Sequence, residues 1–240
     1  MDDKILNRWK LPCEPFKGPG PEWYAQSERV VEIPWTLSLI DNSKIVLDVG
    51  YAYSEERYIK PLCDMGIQEL SGSDWAEPKQ HVTDAINGRM KTIKHDLRDR
   101  YPEEFQNFFD IILCVSTLEH VGENNSYWYF KDDKYGLDKN ADILAMVNMR
   151  DALKPGGMLI VTIPYGEYME LDCFKQYDKN TFDRLIEKVG MEVLVKDYFI
   201  NNKDGWHNST EDGVKHKRYG AYGIVGSTGL LCIVLRKNGN

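Results

Sequence analysis

The chain has 240 residues, 42% hydrophobic and 28% charged, with a net charge of −8. That length carries one sizeable core and points to a single domain, and the apolar content excludes a disordered chain. The acidic balance excludes a nucleic-acid backbone as main partner, because phosphate binding takes a concentrated basic surface and the chain's one basic cluster is "KHKR" at 215–218.

The first 43 residues fit no strand–helix repeat. "LPCEPFKGPGPEW" is a loop punctuated by proline and glycine, and "AQSERVVEIPWTLSLI" is a short helical or mixed segment that brings Arg29, Glu32 and Trp35 close together. The segment reads either as a packing extension or as a flap over a substrate. Ile45 to Val49 then has the profile of a buried parallel strand ending in a tight turn at Gly50. "SEERYIKPLCDMG" predicts a helix with Ser54 as cap, Glu55 and Glu56 at its positive end and Gly66 as its stop. Strands follow at 67–75, 90–97 and, most clearly, Asp110 to Val115. "ADILAMVNMRDALKPGG" is helical, with Ile143, Met146, Val147 and Leu153 on one face. "MLIVTIP" is a fifth strand, and "NTFDRLIEKVG" a helix with Phe182, Leu185, Ile186 and Val189 on its apolar stripe. Two last strands, 191–200 and 229–237, flank a long polar loop with no convincing helix, which predicts an antiparallel hairpin at one edge.

Strands alternating with helices give an α/β fold: a seven-stranded, mostly parallel sheet covered on both faces. The domain comprises an extension over 1–43 and a core over 44–240, with insertions at 123–140 and 201–227. The five cysteines contain no C-x-x-C pair and read as reduced, packed thiols. With no leader-like or membrane-length apolar run, the expected location is cytoplasmic.

Ligands of such sheets bind beyond the carboxyl ends of the strands, which here carry Asp48, Asp74, Asp96 and Ser116. Asp74 follows Asp48 at close to the roughly 20-residue spacing at which an acid after the second strand meets ribose hydroxyls. A pyrophosphate does not fit. From Gly50 the sequence runs G-Y-A-Y-S-E rather than G-x-G-x-x-G, and Glu55 and Glu56 put negative charge where a phosphate would sit. A phosphate-free adenosyl cation answers this pattern, and S-adenosylmethionine is such a ligand.

"VLDVGYAYS", Asp74, Asp96 with Leu97, "FDIILCVSTLEHVG" and "LKPGGMLIVTIP", in that order, resemble the motifs of class I S-adenosylmethionine-dependent methyltransferases, with Ala52 and Ser54 in place of the later glycines of the first motif. The resemblance implies a Rossmann-like fold and cofactor contacts from Asp48, Gly50, Tyr51, Ala52, Asp74, Trp75, Asp96, Leu97 and Ser116. Asp74 would take the ribose hydroxyls and Asp96 the adenine amino group, while Tyr51 or Tyr53 would lie by the sulfonium. His120 is the expected general base, with an ordinary pKa near 6.5, and Glu119 orients substrate, a loop amide or His120. Ser116 replaces the first glutamate of an E-x-x-E-H pattern, so no metal is expected. "PYGEY", the R-x-x-E-x-P-W run and the 123–140 insertion resemble methyltransferases that modify cell-surface sugars. They suggest a sugar or glycan hydroxyl as acceptor, held by Arg29, Trp35, Tyr165, Lys175 and His207, with Tyr127, Trp128 and Tyr129 available for stacking. Another small hydroxyl- or amine-bearing metabolite, and a non-catalytic S-adenosylmethionine-binding protein, are the competing readings. No nucleic acid or membrane span is expected, and a homodimer is the default for a soluble enzyme.

Overall fold

A computed structural model describes residues 2–12, 14–21, 26–125 and 136–239. The strands in chain order are β1 (Ile45–Val49), β2 (Glu69–Asp74), β3 (Lys91–Lys94), β4 (Phe109–Val115), β5 (Leu153–Pro164), β6 (Met169–Glu170), β7 (Lys175–Gln176), β8 (Glu192–Asn201), β9 (Trp206–Ser209) and β10 (Gly229–Arg236). The helices are α1 (Asp2–Leu6), α2 (Arg29–Ser38), α3 (Glu56–Asp64), α4 (Gln80–Ile86), α5 (Ala141–Ala152), α6 (Lys179–Val189) and α7 (Glu211–Val214).

Eight strands form one sheet in the order β3-β2-β1-β4-β5-β10-β8-β9, and β6 pairs with β7 apart from it. The five strands from β3 to β5 run parallel, and β10, β8 and β9 follow antiparallel. Because side chains alternate along a strand, β1 sends Val46 to one face and Leu47 to the other. Val46, with Ile111, Ile160 and Val234 of neighbouring strands, packs on Val31 and Trp35 of α2, Ile59 of α3 and Val82 of α4. Leu47, with Ile112, Leu159 and Ile233, packs on Met146 and Met149 of α5 and Phe182 and Leu185 of α6. Both faces are therefore sealed, and ligands are left the carboxyl ends of the strands.

The sheet has eight strands where seven were expected. The extra one, β9, forms inside the 201–227 segment because Trp206 is buried there. Its indole donates to the carbonyls of Gln26 and Ser27, and its backbone exchanges hydrogen bonds with Phe16 at 2.8 and 2.9 Å. The expected antiparallel hairpin lies toward the β9 edge: β10 pairs with β8, and within the sheet β10 sits between β5 and β8. Ser54 does not cap α3: its N–H closes the preceding short helical turn onto the Tyr51 carbonyl, and the helix begins after Glu55. Leu153 leaves the face expected of α5 because β5 has already begun, opposite Phe109. The aromatic cluster Tyr127, Trp128 and Tyr129 and much of the 123–140 insertion lie outside the described residues.

Candidate functional site at the carboxyl ends of the parallel strands

Three turns meet above β1, β2 and β4. After β1 the chain reverses at Gly50, whose φ is +81°, and its N–H donates to the Ser73 carbonyl at 2.9 Å. A Cβ at this position would strike the Thr117 side chain, so two turns approach as closely as a glycine permits. Asp74, at the end of β2, accepts from the Ala52 N–H (3.0 Å) through Oδ2 and from the Ala76 N–H (2.9 Å) through Oδ1. This acid ties the turn after β1 to the turn after β2. After β4, Ser116 takes a φ of +44°, an unusual conformation for a side-chain-bearing residue, and its N–H is held by both the carbonyl and the hydroxyl of Thr162. Its own hydroxyl donates to Glu119 Oε1 at 2.6 Å.

Two adjoining cavities result. The smaller, about 60 Å³, is walled by Asp74, Trp75, His95, Asp96, Leu97 and Arg98. The larger, about 410 Å³, has walls from Glu28, Arg29, Tyr53, Ser116, Glu119, Phe174 and Tyr219, among others. Gly50, Thr117 and His120 belong to both, so the cavities meet over the tip of β1.

Burial sets the protonation of the acids. It pushes the Asp74 carboxyl up to about 6 against the pull of its backbone N–H partners. Asp48 lies behind Gly50 and lines neither cavity. The Tyr58 hydroxyl donates to its Oδ1 at 2.8 Å, Oδ2 has no partner among the described residues, and burial raises it to about 7. Glu119 is raised to about 8 by burial, and its Oε2 likewise has no partner. His120 moves the other way, down to about 4, because burial and the nearby Arg29 both disfavour the imidazolium. Its Nδ1 lies 2.7 Å from the Cys173 carbonyl and must carry the hydrogen, leaving the lone pair on Nε2.

The structure gathers Gly50, Asp74, Trp75, Asp96, Leu97, Ser116, Glu119, His120 and Arg29 around these cavities. Asp96 arrives with a partner: Arg98 donates to its two oxygens at 3.0 and 2.7 Å. Of the two tyrosines, Tyr53 lines the larger cavity, whereas Tyr51 is buried beneath Gly72 and Met90. Ala52 contributes its backbone N–H to Asp74 and lines neither cavity.

Four residues expected to hold substrate are committed elsewhere. Trp35 is wholly buried and donates its indole N–H to Asp197 at 2.8 Å. Tyr165 packs edge-on to Phe182 and donates to Glu211. Lys175 is buried between Glu123 (3.3 Å) and Asp142 (3.1 Å). His207, on β9, faces Asp204 and Glu14. In each case a side chain that reads as a ligand contact meets a stronger demand from packing or from a neighbouring acid. Conversely, sequence reasoning missed Glu28, Tyr58, Phe174 and Tyr219. The i,i+4 spacing of Glu28 and Glu32 was a signal that both acids share one face of the helix. Phe174 and Tyr219 come from loops with no local periodicity to reveal them.

No protein-family model matches the chain, and no curated protein matches it by sequence. Solved structures do match by shape. The chain is similar to the Burkholderia thailandensis 1,6-didemethyltoxoflavin-N1-methyltransferase, solved with 1,6-didemethyltoxoflavin and S-adenosylhomocysteine bound (12% identity, 82% of this chain and 72% of that one, TM-score 0.54). It is similar to a SAM-dependent methyltransferase from Methanosarcina mazei (10% identity, 84% and 95% covered, TM-score 0.54). It is also similar to the [4+2]-cyclase SpnF (13% identity, 95% and 88% covered, TM-score 0.53). The protein therefore has the Rossmann-like methyltransferase fold, a mixed α/β architecture that also carries a cyclase.

Proposed function

We propose that the protein is an S-adenosylmethionine-dependent methyltransferase acting on a small molecule. The carrying observation is the pair of cavities meeting over Gly50, Thr117 and His120, one narrow and flanked by Asp74 and Asp96, the other roomy and lined by aromatic and ionisable side chains. The donor set fits an adenosyl sulfonium. Asp74 is oriented by two backbone N–H groups and presents its remaining lone pairs to ribose hydroxyls, Trp75 and Leu97 flank the place of a flat base, and Gly50 offers bare backbone. The turn provides no diphosphate cradle, and Glu55 lines the larger cavity where such a group would extend.

When bound, S-adenosylmethionine supplies a methyl carbon already activated by its sulfonium, so the protein's task is mainly to place the acceptor in line with it. The extension over 1–43 serves as a cover in this reading, since Ser27, Glu28, Arg29 and Ile33 form one wall of the larger cavity. His120 presents Nε2 as a neutral acceptor at physiological pH. Its depressed pKa, however, makes it a weaker base toward a hydroxyl than its sequence context suggests. A sugar hydroxyl as acceptor draws little support: among the five side chains expected to hold one, Arg29 alone lines the cavity. The cyclase neighbour keeps a second reading in view, a protein that uses this fold without transferring a methyl group.

Calorimetric titration with S-adenosylmethionine, S-adenosylhomocysteine and NAD tests the proposal, with Asp74→Ala as the control. The expected result is micromolar binding of the two adenosyl ligands, no NAD binding, and a loss of about 10- to 100-fold in the variant, the size of a charge-assisted hydrogen bond. NAD binding without adenosyl-ligand binding overturns it.

A further inference from the structure

The wall contributed by α2 and the turn after β4 holds more acid than its surroundings balance. Glu28, Glu32 and Glu119 are all buried there, and among the described residues Arg29 is the guanidinium placed between them. That guanidinium is already committed: it donates to Glu32 and lies 3.6 Å from Glu55. Burial alone would lower the Arg29 pKa, and the carboxylates around it more than reverse this, so its charge is fixed. Glu32 is further satisfied by the Thr162 hydroxyl at 2.7 Å, and Glu28 accepts from the Ser227 N–H at 3.1 Å. Glu119 is left with Oε1 on Ser116 and, among the described residues, no partner for Oε2, in a residue 1% exposed that lines the larger cavity.

With all three acids ionised, this wall would carry two negative charges in excess of Arg29. A buried excess of that kind costs several kcal/mol per ion unless a proton or a cation neutralises it. Burial favours the neutral forms here: it raises both Glu28 and Glu119, Glu119 to about 8. Facing this wall are rings. Phe174 lies 5.6 Å from the His120 ring and 4.6 Å from the Tyr219 ring, whereas the Tyr53 ring is taken by the ammonium of Lys79, another residue of the cavity wall, 4.4 Å from its centroid. Carboxyls on one side and aromatic faces on the other form a receptor for an organic cation.

We propose that the acceptor seated in the larger cavity is an amine, bound as its ammonium ion beside the Glu119 carboxyl, whose buried Oε2 turns to meet it, with its apolar body against Phe174 and Tyr219. The reading of this acceptor as a methyl acceptor rests on the proposed methyltransferase activity; the amine site itself does not. The ammonium displaces the proton that burial favours on Glu119, leaving a carboxylate beside the cation. One N–H proton then passes to that carboxylate: an N–H bond breaks, an O–H bond forms, and the electron pair stays on nitrogen as the nucleophilic lone pair. An amine needs no strong base beyond this, which agrees with a His120 too weakly basic to serve a hydroxyl.

The test is titration of the S-adenosylhomocysteine-saturated protein with benzylamine and phenethylamine, each against the alcohol of the same skeleton. Titrations near pH 7 in phosphate and in HEPES, whose ionisation enthalpies differ and neither of which offers a primary ammonium, count the protons exchanged. The amines are expected to bind at least about tenfold more tightly than the alcohols and to release about one proton each. Glu119→Gln is expected to abolish the proton release and bring amine affinity down to that of the alcohols, with its retained affinity for S-adenosylhomocysteine reporting an intact fold. Equal affinity for amine and alcohol in the wild-type protein overturns the proposal without reference to any variant, as does failure of both series to bind a protein that takes S-adenosylhomocysteine. Amine binding by a protein that fails to take S-adenosylhomocysteine leaves the amine site standing and removes the methyl-donor reading instead.

Discussion

Glu119 and His120 are neighbours in sequence, and the same burial drives them in opposite directions, since it penalises the charged form of each. The consequence for stability has a definite sign. Glu119 and Asp48 have folded-state pKa values of about 8 and about 7, above their ordinary 4.5 and 3.8, so between those limits the folded protein keeps protons that the unfolded chain releases. Stability from these groups is full at low pH and is lost as pH rises through the folded values. His120 has its folded value depressed from 6.5 to about 4, so its contribution is present above 6.5 and is lost as pH falls through 4. From about pH 6.5 to 8 the acids alone act, and the unfolding free energy is expected to fall with rising pH by up to about 1.4 kcal/mol per pH unit for each proton involved, carrying the urea midpoint down with it. Glu119→Gln, which mimics the protonated acid, should flatten that slope. A midpoint that climbs across the same interval would contradict the assignment.

At the scale of elements, two local features carry separable predictions. Asp178 caps α6: its Oδ1 accepts from the Thr181 N–H at 2.8 Å while the Thr181 hydroxyl accepts from the Asp178 N–H at 2.9 Å. Asp178→Ala should cost about 1 kcal/mol in chemical unfolding and leave ligand affinity alone. Gly50→Ala is the contrasting case. The new methyl group meets a positive φ and the Thr117 side chain at once, so both the melting temperature and the affinity for S-adenosylhomocysteine should drop. Wild-type affinity in that variant would show that the turn over β1 is not part of the ligand site.

These elements also show what the sequence discloses. The strand at 45–49, the strand at 109–115 and the helix at 179–189 were legible because each satisfies a periodicity on its own and ends in a strong local signal, such as Gly190 in the left-handed conformation at the end of α6. β9 was not, because "WHNS" has no strand pattern of its own and becomes one only when Trp206 is drawn into the core beside Phe16. The acids at the strand ends were legible by position. The walls of the larger cavity were not, because Trp35, Tyr165 and Lys175 are of the right chemical type for a ligand but are claimed by partners more than 30 residues away.

For the molecule as a whole, the extension is fastened at one residue above all. Asp197 on β8 receives the indole N–H of Trp35 and two guanidinium N–H groups of Arg8, at 2.5 and 2.7 Å. Asp197→Ala would leave a buried indole N–H unpaired and a guanidinium without its anion. The expected loss is about 3 kcal/mol, or about 6–12 °C in melting temperature for a chain of this length. Because α2 and the residue before it supply Arg29 and Glu28 to the larger cavity, the same variant should admit a protease ahead of Arg29 and weaken ligands of that cavity, leaving the Asp74 cavity unaffected. A variant that melts lower but resists the protease would separate the pin from the cover.

The placement of β10 between β5 and β8 also bears on how the protein is made. On the ribosome, a chain synthesised only as far as residue 228 holds β1 to β5 ready to pair, yet β8, β9 and the Phe16 bridge have no strand through which to join them. Residues 229–236 are the keystone, not the fringe. Nascent chains should pass abruptly from protease-sensitive to resistant as that segment clears the exit tunnel, and nonsense mutations shortly before it should leave no folded product at all.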